Sequence, residues 1–119
     1  MPVNPGQGLI VNPGVATKLN STSLTTTATL DFVISYEGSG VMNAIFQAVG
    51  TLTGLTSALQ VSLDGGTTFA NYVTSLVTAA ASVIAVGNAS ANPLTPGAIY
   101  RVNVTALTGG PADIWVTVG

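Results

Sequence analysis

An all-β domain is the fold that this sequence of 119 residues predicts. In detail it is a jelly-roll-like β-sandwich of roughly seven or eight short antiparallel strands with an extended N-terminal arm. Three observations lead there. Apolar and polar residues alternate with period two in short runs, as half-buried strands require. Clusters of Gly, Pro, Asn and Ser separate those runs at close intervals. Charged residues make up only 5% of the chain, against roughly 25% in an ordinary soluble domain, so an extensively buried chain rich in Ala, Val and Thr is indicated.

The elements follow in order. Residues 1–23 hold three of the six prolines and several Asn-Pro and Pro-Gly dipeptides. Proline lacks the N–H that a central strand needs and biases its predecessor toward extended geometry. This segment therefore reads as an extended arm, and residues 24–119 as the sandwich. Within the arm, Leu9, Ile10 and Val11 form a short apolar patch suited to adding onto a sheet edge, with a neighbouring molecule as the expected host. From Thr29 to Tyr36, Leu30, Phe32, Ile34 and Tyr36 share one face. Glu37-Gly38-Ser39-Gly40 is a turn. Val41 to Leu52 places Met42, Ala44, Phe46, Ala48 and Leu52 on one side, with a helix as the competing reading. Ala58 to Leu63 turns Leu59, Val61 and Leu63 inward, and Phe69 to Thr74 follows as its hairpin partner. Leu76 to Ala81 is open between a helical turn and extended chain, whereas Ser82 to Val86 reads as strand. After a Gly/Asn/Pro-rich loop, Ala98 to Leu107 points Tyr100, Val102, Val104 and Ala106 one way and Arg101, Asn103 and Thr105 the other. Asp113 to Val118 closes the chain with Ile114, Val116 and Val118 on one side.

Composition removes several classes of chemistry. Cysteine and histidine are both absent, which takes away the usual zinc ligands, Cys-His and Ser-His nucleophilic pairs and the common haem ligands. No cofactor is expected. The only cations are Lys18 and Arg101, too few to neutralise a run of phosphates or to hold an anionic membrane, so nucleic acid and membrane surface are not expected partners. Both cations read as solubilising or intersubunit groups. The two longest apolar stretches, Val41 to Leu52 and Leu76 to Val86, fall short of the ~20 residues that a spanning helix requires. No signal-peptide pattern is read at the start of the chain. The four acids are Asp31, Glu37, Asp64 and Asp113; no spacing pairs them as a glycosidase would need, and the expectation is a protein that is not an enzyme.

The stretch SLDGGTTF is the most distinctive local motif. Ser62, Asp64, Gly66, Thr68 and Phe69 fit the pattern Ser-x-Asp-x-Gly-x-Thr-aromatic. It resembles the Asp-box hairpin of sialidases and related β proteins, with Phe69 where Trp is commoner. Asp64 is suited to binding backbone N–H groups a few residues on, Gly65 and Gly66 supply positive φ angles, and Phe69 is placed to pack over the turn. A Ca²⁺ site needs six to eight oxygens, usually from several carboxylates, so the hairpin reads as structural. A single copy builds no propeller, and sialidase activity does not follow from it.

Trp115 and Tyr100 are the candidates for an aromatic sugar platform, although a lone Trp on a last strand more often sits at a sheet face or an interface. Asn20, Asn88 and Asn103 each begin an Asn-x-Ser/Thr triplet, which a chain so rich in these residues yields by chance. Taken together, the Pro/Gly-punctuated arm, the all-β body, the charge-poor surface and the Val61 to Gly66 hairpin (VSLDGG) resemble the small head decoration, or cement, proteins of tailed bacteriophages. The resemblance implies a virion protein on the outer surface of the capsid. Its partners would be the major capsid protein and further copies of itself, with a trimer favoured. A tail, baseplate or fibre component is the alternative within virions, and a carbohydrate-binding or adhesin module the alternative outside them.

Overall fold

The computed structural model describes residues 9–35, 43–87 and 92–119. The expected turn at Glu37–Gly40, the inward Tyr36 and Met42, and the Asn88 triplet lie outside the described residues, as does the arm before Leu9. The chain is all-β, and its strands form two sheets as a β-sandwich requires. Among the described residues nine strands run in order: β1 (Leu9–Val11), β2 (Thr17–Lys18), β3 (Ala28–Ile34), β4 (Ala44–Gly50), β5 (Gly54–Ser62), β6 (Ala70–Val73), β7 (Val83–Val86), β8 (Ile99–Thr108) and β9 (Ala112–Val118). The first sheet has the order β1-β3-β8-β5-β6 and the second β2-β9-β4-β7. Every pairing is antiparallel except β1 with β3. Only β5 and β6 are consecutive in the chain and adjacent in a sheet. Every other connection crosses from one sheet to the other.

The inner faces of both sheets make one core. Phe32, Ile34, Leu59, Tyr100 and Val102 come from the first sheet, and Ala44, Phe46, Ala48, Ile114 and Val116 from the second. Phe32 and Phe46 meet across the sandwich with ring centroids 6.1 Å apart, a tilted arrangement of the kind aromatic quadrupoles favour. The alternation expected for Ala44 to Leu52 and for Ile114 to Val118 holds along β4 and β9, with Leu52 buried just beyond the end of β4. Strand, not helix, therefore occupies Ala44–Gly50.

Three features depart from simple alternation. In β8, Ala106 pairs with Thr56 whereas Val104 pairs with Ser57, leaving Thr105 as an extra residue. This bulge reverses the phase of the strand, so Leu107 rather than Ala106 packs on the core. Leu63, expected inward, lies past the end of β5 and is 81% exposed. Leu76 to Ala81 forms no helix: the Leu76 N–H donates to the Ser57 carbonyl, the Leu55 N–H to the Thr78 carbonyl, and the Ser57 hydroxyl to the Val77 carbonyl. Extended chain here lays Leu76 and Val77 into the core beside the start of β5.

From Leu9 onward, the segment read as an arm lies along the molecule's own sheet edges. Leu9, Ile10 and Val11 pair with Phe32, Val33 and Ile34 of the same chain, and Thr17 and Lys18 pair with Val116 and Trp115. Leu19 continues that line by donating to the Ile114 carbonyl, and the ladder resumes where Leu24 and Ala112 exchange both backbone bonds. Between them Asn20 splices the gap, its Oδ1 accepting the Ile114 N–H at 2.9 Å.

Candidate functional site

The two outward faces of the sandwich differ in chemistry. On the first sheet, β3, β8 and β5 carry Asp31, Arg101 and Gln60 side by side. Arg101 donates from Nε to Asp31 Oδ1 at 2.7 Å and from Nη2 to Oδ2 at 3.1 Å, a fork that holds guanidinium and carboxylate in one plane. The Arg101 guanidinium carbon lies 3.8 Å from the Phe69 ring centroid, a cation–π contact. Phe69 thus packs beneath Arg101 from the strand-side end of the SLDGGTTF loop. The bond to Asp31 raises the Arg101 pKa, so its charge is constant. Gln60 Nε2 donates to Asn71 Oδ1 next to this pair.

On the second sheet, residues that alternate with the core point outward as an apolar surface. Ile45 stands beside Thr117 and Ala85, and Gln47 beside Trp115 and Val83, while Val49 faces Asp113. Ile45 is 49% exposed and Val83 60%, and Val49 and Trp115 are exposed as well. Lys18 sits across from Trp115 at the rim. Shallow hollows lie along this face. One, of about 110 Å³, lies among Ala16, Gln47, Val83 and Trp115. Another, of about 280 Å³, lies toward Asn43 and the terminal Val118 and Gly119.

The carboxylates are dispersed. Asp31 is engaged by Arg101. Asp113 accepts the Asn20 amide and the Ser23 hydroxyl, each at 2.9 Å; the Asn20 bond is the main reason its pKa is lowered, with the Ser23 bond and the nearby Lys18 charge adding to it. Asp64 is held by its own hairpin. Its Oδ1 accepts the Thr68 N–H at 2.9 Å, the Thr67 N–H at 3.2 Å and the Ser62 hydroxyl at 2.7 Å. The Ser62 hydroxyl in turn accepts the Gly66 N–H. These bonds, the Thr68 N–H foremost, lower the Asp64 pKa to about 2. Gly65 and Gly66 take φ values of 80° and 95°, the left-handed region where a Cβ is costly. The motif residues Ser62, Asp64, Gly65, Gly66 and Thr68 are therefore brought together, and they spend their polar groups on one another. Among the described residues no three acids cluster as a metal site would need, and no helix is long and apolar enough to cross a membrane.

The two aromatic candidates are far from a common platform. Tyr100 belongs to the core of the first sheet and is 1% exposed, whereas Trp115 faces outward from the second. Of the arm residues, Val11 is fully buried in the core and Leu9 and Ile10 keep exposed side chains. The sequence marks Asn20 only as the start of an Asn-x-Ser/Thr triplet, with nothing to show its structural part. Its amide is buried and occupied by Thr22, Ala112 and Asp113, so the folded protein offers no glycan acceptor there.

No protein-family model matches the chain, and no curated protein or solved structure is significantly similar to it.

Proposed function

We propose that this protein is a non-enzymatic structural subunit of a virion, a capsid decoration protein. It would dock on the outer surface of the head, against the major capsid protein and neighbouring copies of itself, as a homotrimer. The observation that carries this reading is the asymmetry of the two faces. One outer face carries the polar row Asp31, Arg101 and Gln60 with its ion pair, and of the adjoining apolar row Ile10, Val33 and Ile99 only Ile10 is exposed. The other presents Ile45, Val49, Val83 and Trp115 exposed around the neutral Gln47, a largely apolar surface of the kind that marks a protein contact. The fold we propose for it is a jelly roll, an architecture recurrent in viral capsids. Support comes from the orders β3-β8-β5-β6 and β2-β9-β4-β7. With β1 set aside they give two four-stranded sheets whose links cross the sandwich, one hairpin excepted.

Strand spacing and rise make the apolar face about 20 Å by about 20 Å, on the order of 400 Å². That is roughly half of the ~800 Å² that each partner buries in a stable pairwise interface. A single contact would be weak, and a lattice presenting many such contacts converts weak docking into retention through avidity. Low charge fits this use, because an assembled subunit needs little self-repulsion to stay dispersed.

The test is sedimentation equilibrium of the full chain and of an Ile45→Lys/Val83→Lys variant. Both positions are exposed, so the variant should fold with an unchanged melting temperature. The wild-type chain is expected to associate with rising concentration and the variant to remain monomeric. A wild-type chain that stays monomeric throughout the range would sink the self-assembling subunit.

A further inference from the structure

A separate cavity opens at one end of the first sheet, away from the apolar outer face. It measures about 530 Å³ and is lined by Val61, Leu63, Tyr72, Leu94, Ala98 and Tyr100. We infer that it is a binding site for a neutral, two-ring apolar molecule carrying one hydrogen-bond acceptor.

Its walls are fastened before any ligand arrives. The Tyr72 hydroxyl donates to the Pro93 carbonyl, and the Asn92 amide donates to the Tyr72 carbonyl. The Thr95 N–H donates to the Tyr100 hydroxyl at 2.9 Å. Residues 92–95 are thereby tied to β6 and β8. Behind the cavity, Tyr100 stacks on Phe32 with centroids 5.6 Å apart, so its ring is a fixed wall. A preformed pocket loses little affinity to ordering on binding.

The chemistry of the lining selects the ligand class. Among the described residues no charged side chain lines the cavity, so an ion would shed its water without compensation. The volume is about three times that of the ~150 Å³ apolar cavity known to hold benzene, which leaves room for two fused rings. One donor is unspent: the Tyr100 hydroxyl accepts from Thr95, and its own hydrogen has no acceptor among the described residues. Burial raises the pKa of both tyrosines, so the hydroxyls stay protonated. A sugar, with a hydroxyl on nearly every carbon, would leave most of its polar groups unmatched here. Leu63, 81% exposed at the rim, is an apolar side chain that a bound ring would cover.

The experiment is a methyl-resolved NMR titration of the full chain with 1-tetralone, with tetralin as the same rings lacking an acceptor, and with 2-naphthoate as a charged analogue. 1-Tetralone should shift the methyl signals of Val61, Leu63, Leu94 and Ala98 saturably and leave Ile45 and Val83 unmoved. Tetralin should bind about three- to tenfold more weakly, the range that one neutral hydrogen bond supports, and 2-naphthoate not at all. Tyr100→Phe should erase the preference for the ketone. Because that change also removes the partner of the Thr95 N–H, Leu63→Asp serves as the variant that leaves the fastening intact, and it should weaken both neutral ligands. The assignment is overturned by an absence of saturable shifts with 1-tetralone, by equal shifts at Ile45 and Val83, or by undiminished binding in Leu63→Asp.

Discussion

Asn20 carries a stability prediction that can be worked from its bonds. Its Oδ1 is the acceptor for the buried Ile114 N–H, and its Nδ2 reaches the Thr22 and Ala112 carbonyls and the Asp113 carboxylate. Asn20→Ala orphans a buried backbone donor, which costs about 1–3 kcal/mol, and forfeits several modest bonds besides. A total of about 2–4 kcal/mol follows, a large part of the roughly 5–15 kcal/mol that holds a domain folded. At about 2.1 cal/mol/K per residue, a chain of this length loses about 4 °C per kcal/mol, so the melting temperature should fall by about 8–16 °C. Asn20→Asp separates the contributions. It keeps an acceptor for Ile114 but sets a second carboxylate against Asp113, whose like charge raises the folded-state pKa of the pair. A raised carboxyl pKa means that the folded state binds protons more readily, so this variant should regain stability as pH falls toward 4 and below. The wild type behaves oppositely: the Asp113 pKa is lowered in the fold, and the stability this supplies is present above the unfolded value and lost in acid. Thermal melts at pH 7 and pH 3.5 read both effects. A loss under about 2 °C in Asn20→Ala, or an Asn20→Asp deficit that is the same at both pH values, would refute the splice.

Asp64, with its pKa lowered to about 2, should contribute stability above pH ~4 that disappears as pH drops through its folded value; acid melts of Asp64→Asn should lack that component, and superimposable acid profiles would contradict it. Gly50→Ala should be strongly destabilising, because φ is +138° and the new Cβ would strike the Pro111 carbonyl oxygen; an unchanged urea midpoint would show that the β4–β9 contact at Gly50 relaxes freely. Leu59→Ala removes a fully buried side chain and should cost about 2–5 kcal/mol by equilibrium unfolding, whereas a cost below ~1 kcal/mol would mean that this part of the core collapses around the gap.

What was legible in the sequence was whatever depends on local period. β4, β8 and β9 each write one face of the core in alternate letters, and strands buried on one face must do so. The hairpin at Asp64 was readable for a similar reason, since its acceptor, its glycines and its donors lie within a few residues of one another. The misplacements share a cause. Leu63 continues the alternation of β5 by one step, but the strand ends at Ser62, and nothing in a residue's identity announces where its neighbour stops pairing. The extra residue at Thr105 has no compositional mark, yet it exchanges the roles of Ala106 and Leu107. Asn20 matters chiefly through residues more than ninety positions away. The Leu9–Val11 patch was readable as an edge strand, whereas the identity of the edge, here β3 of the same chain, is a tertiary fact.

The disposition of charge explains why an apolar face can persist on this molecule. Asp31 is matched to Arg101 within the first sheet, Asp64 is spent inside its hairpin, and Asp113 is absorbed by Asn20 and Ser23. Among the described residues, the charges on the second sheet's outer face are Lys18 across from Trp115 and Asp113 across from Val49, both away from Ile45 and Val83. With a formal net charge of only −2, little long-range repulsion opposes the approach of a second surface. Desolvating the face around Ile45 and Val83 likewise strands no ion, since the polar groups among those residues are the neutral Gln47 and Thr117. Placing lysines at Ile45 and Val83 takes the formal net charge from −2 to zero, so the pair acts at contact and not at a distance: two cations would have to be desolvated and set against like charges on the approaching face, which is why these substitutions bear on assembly while leaving the core of the sandwich untouched.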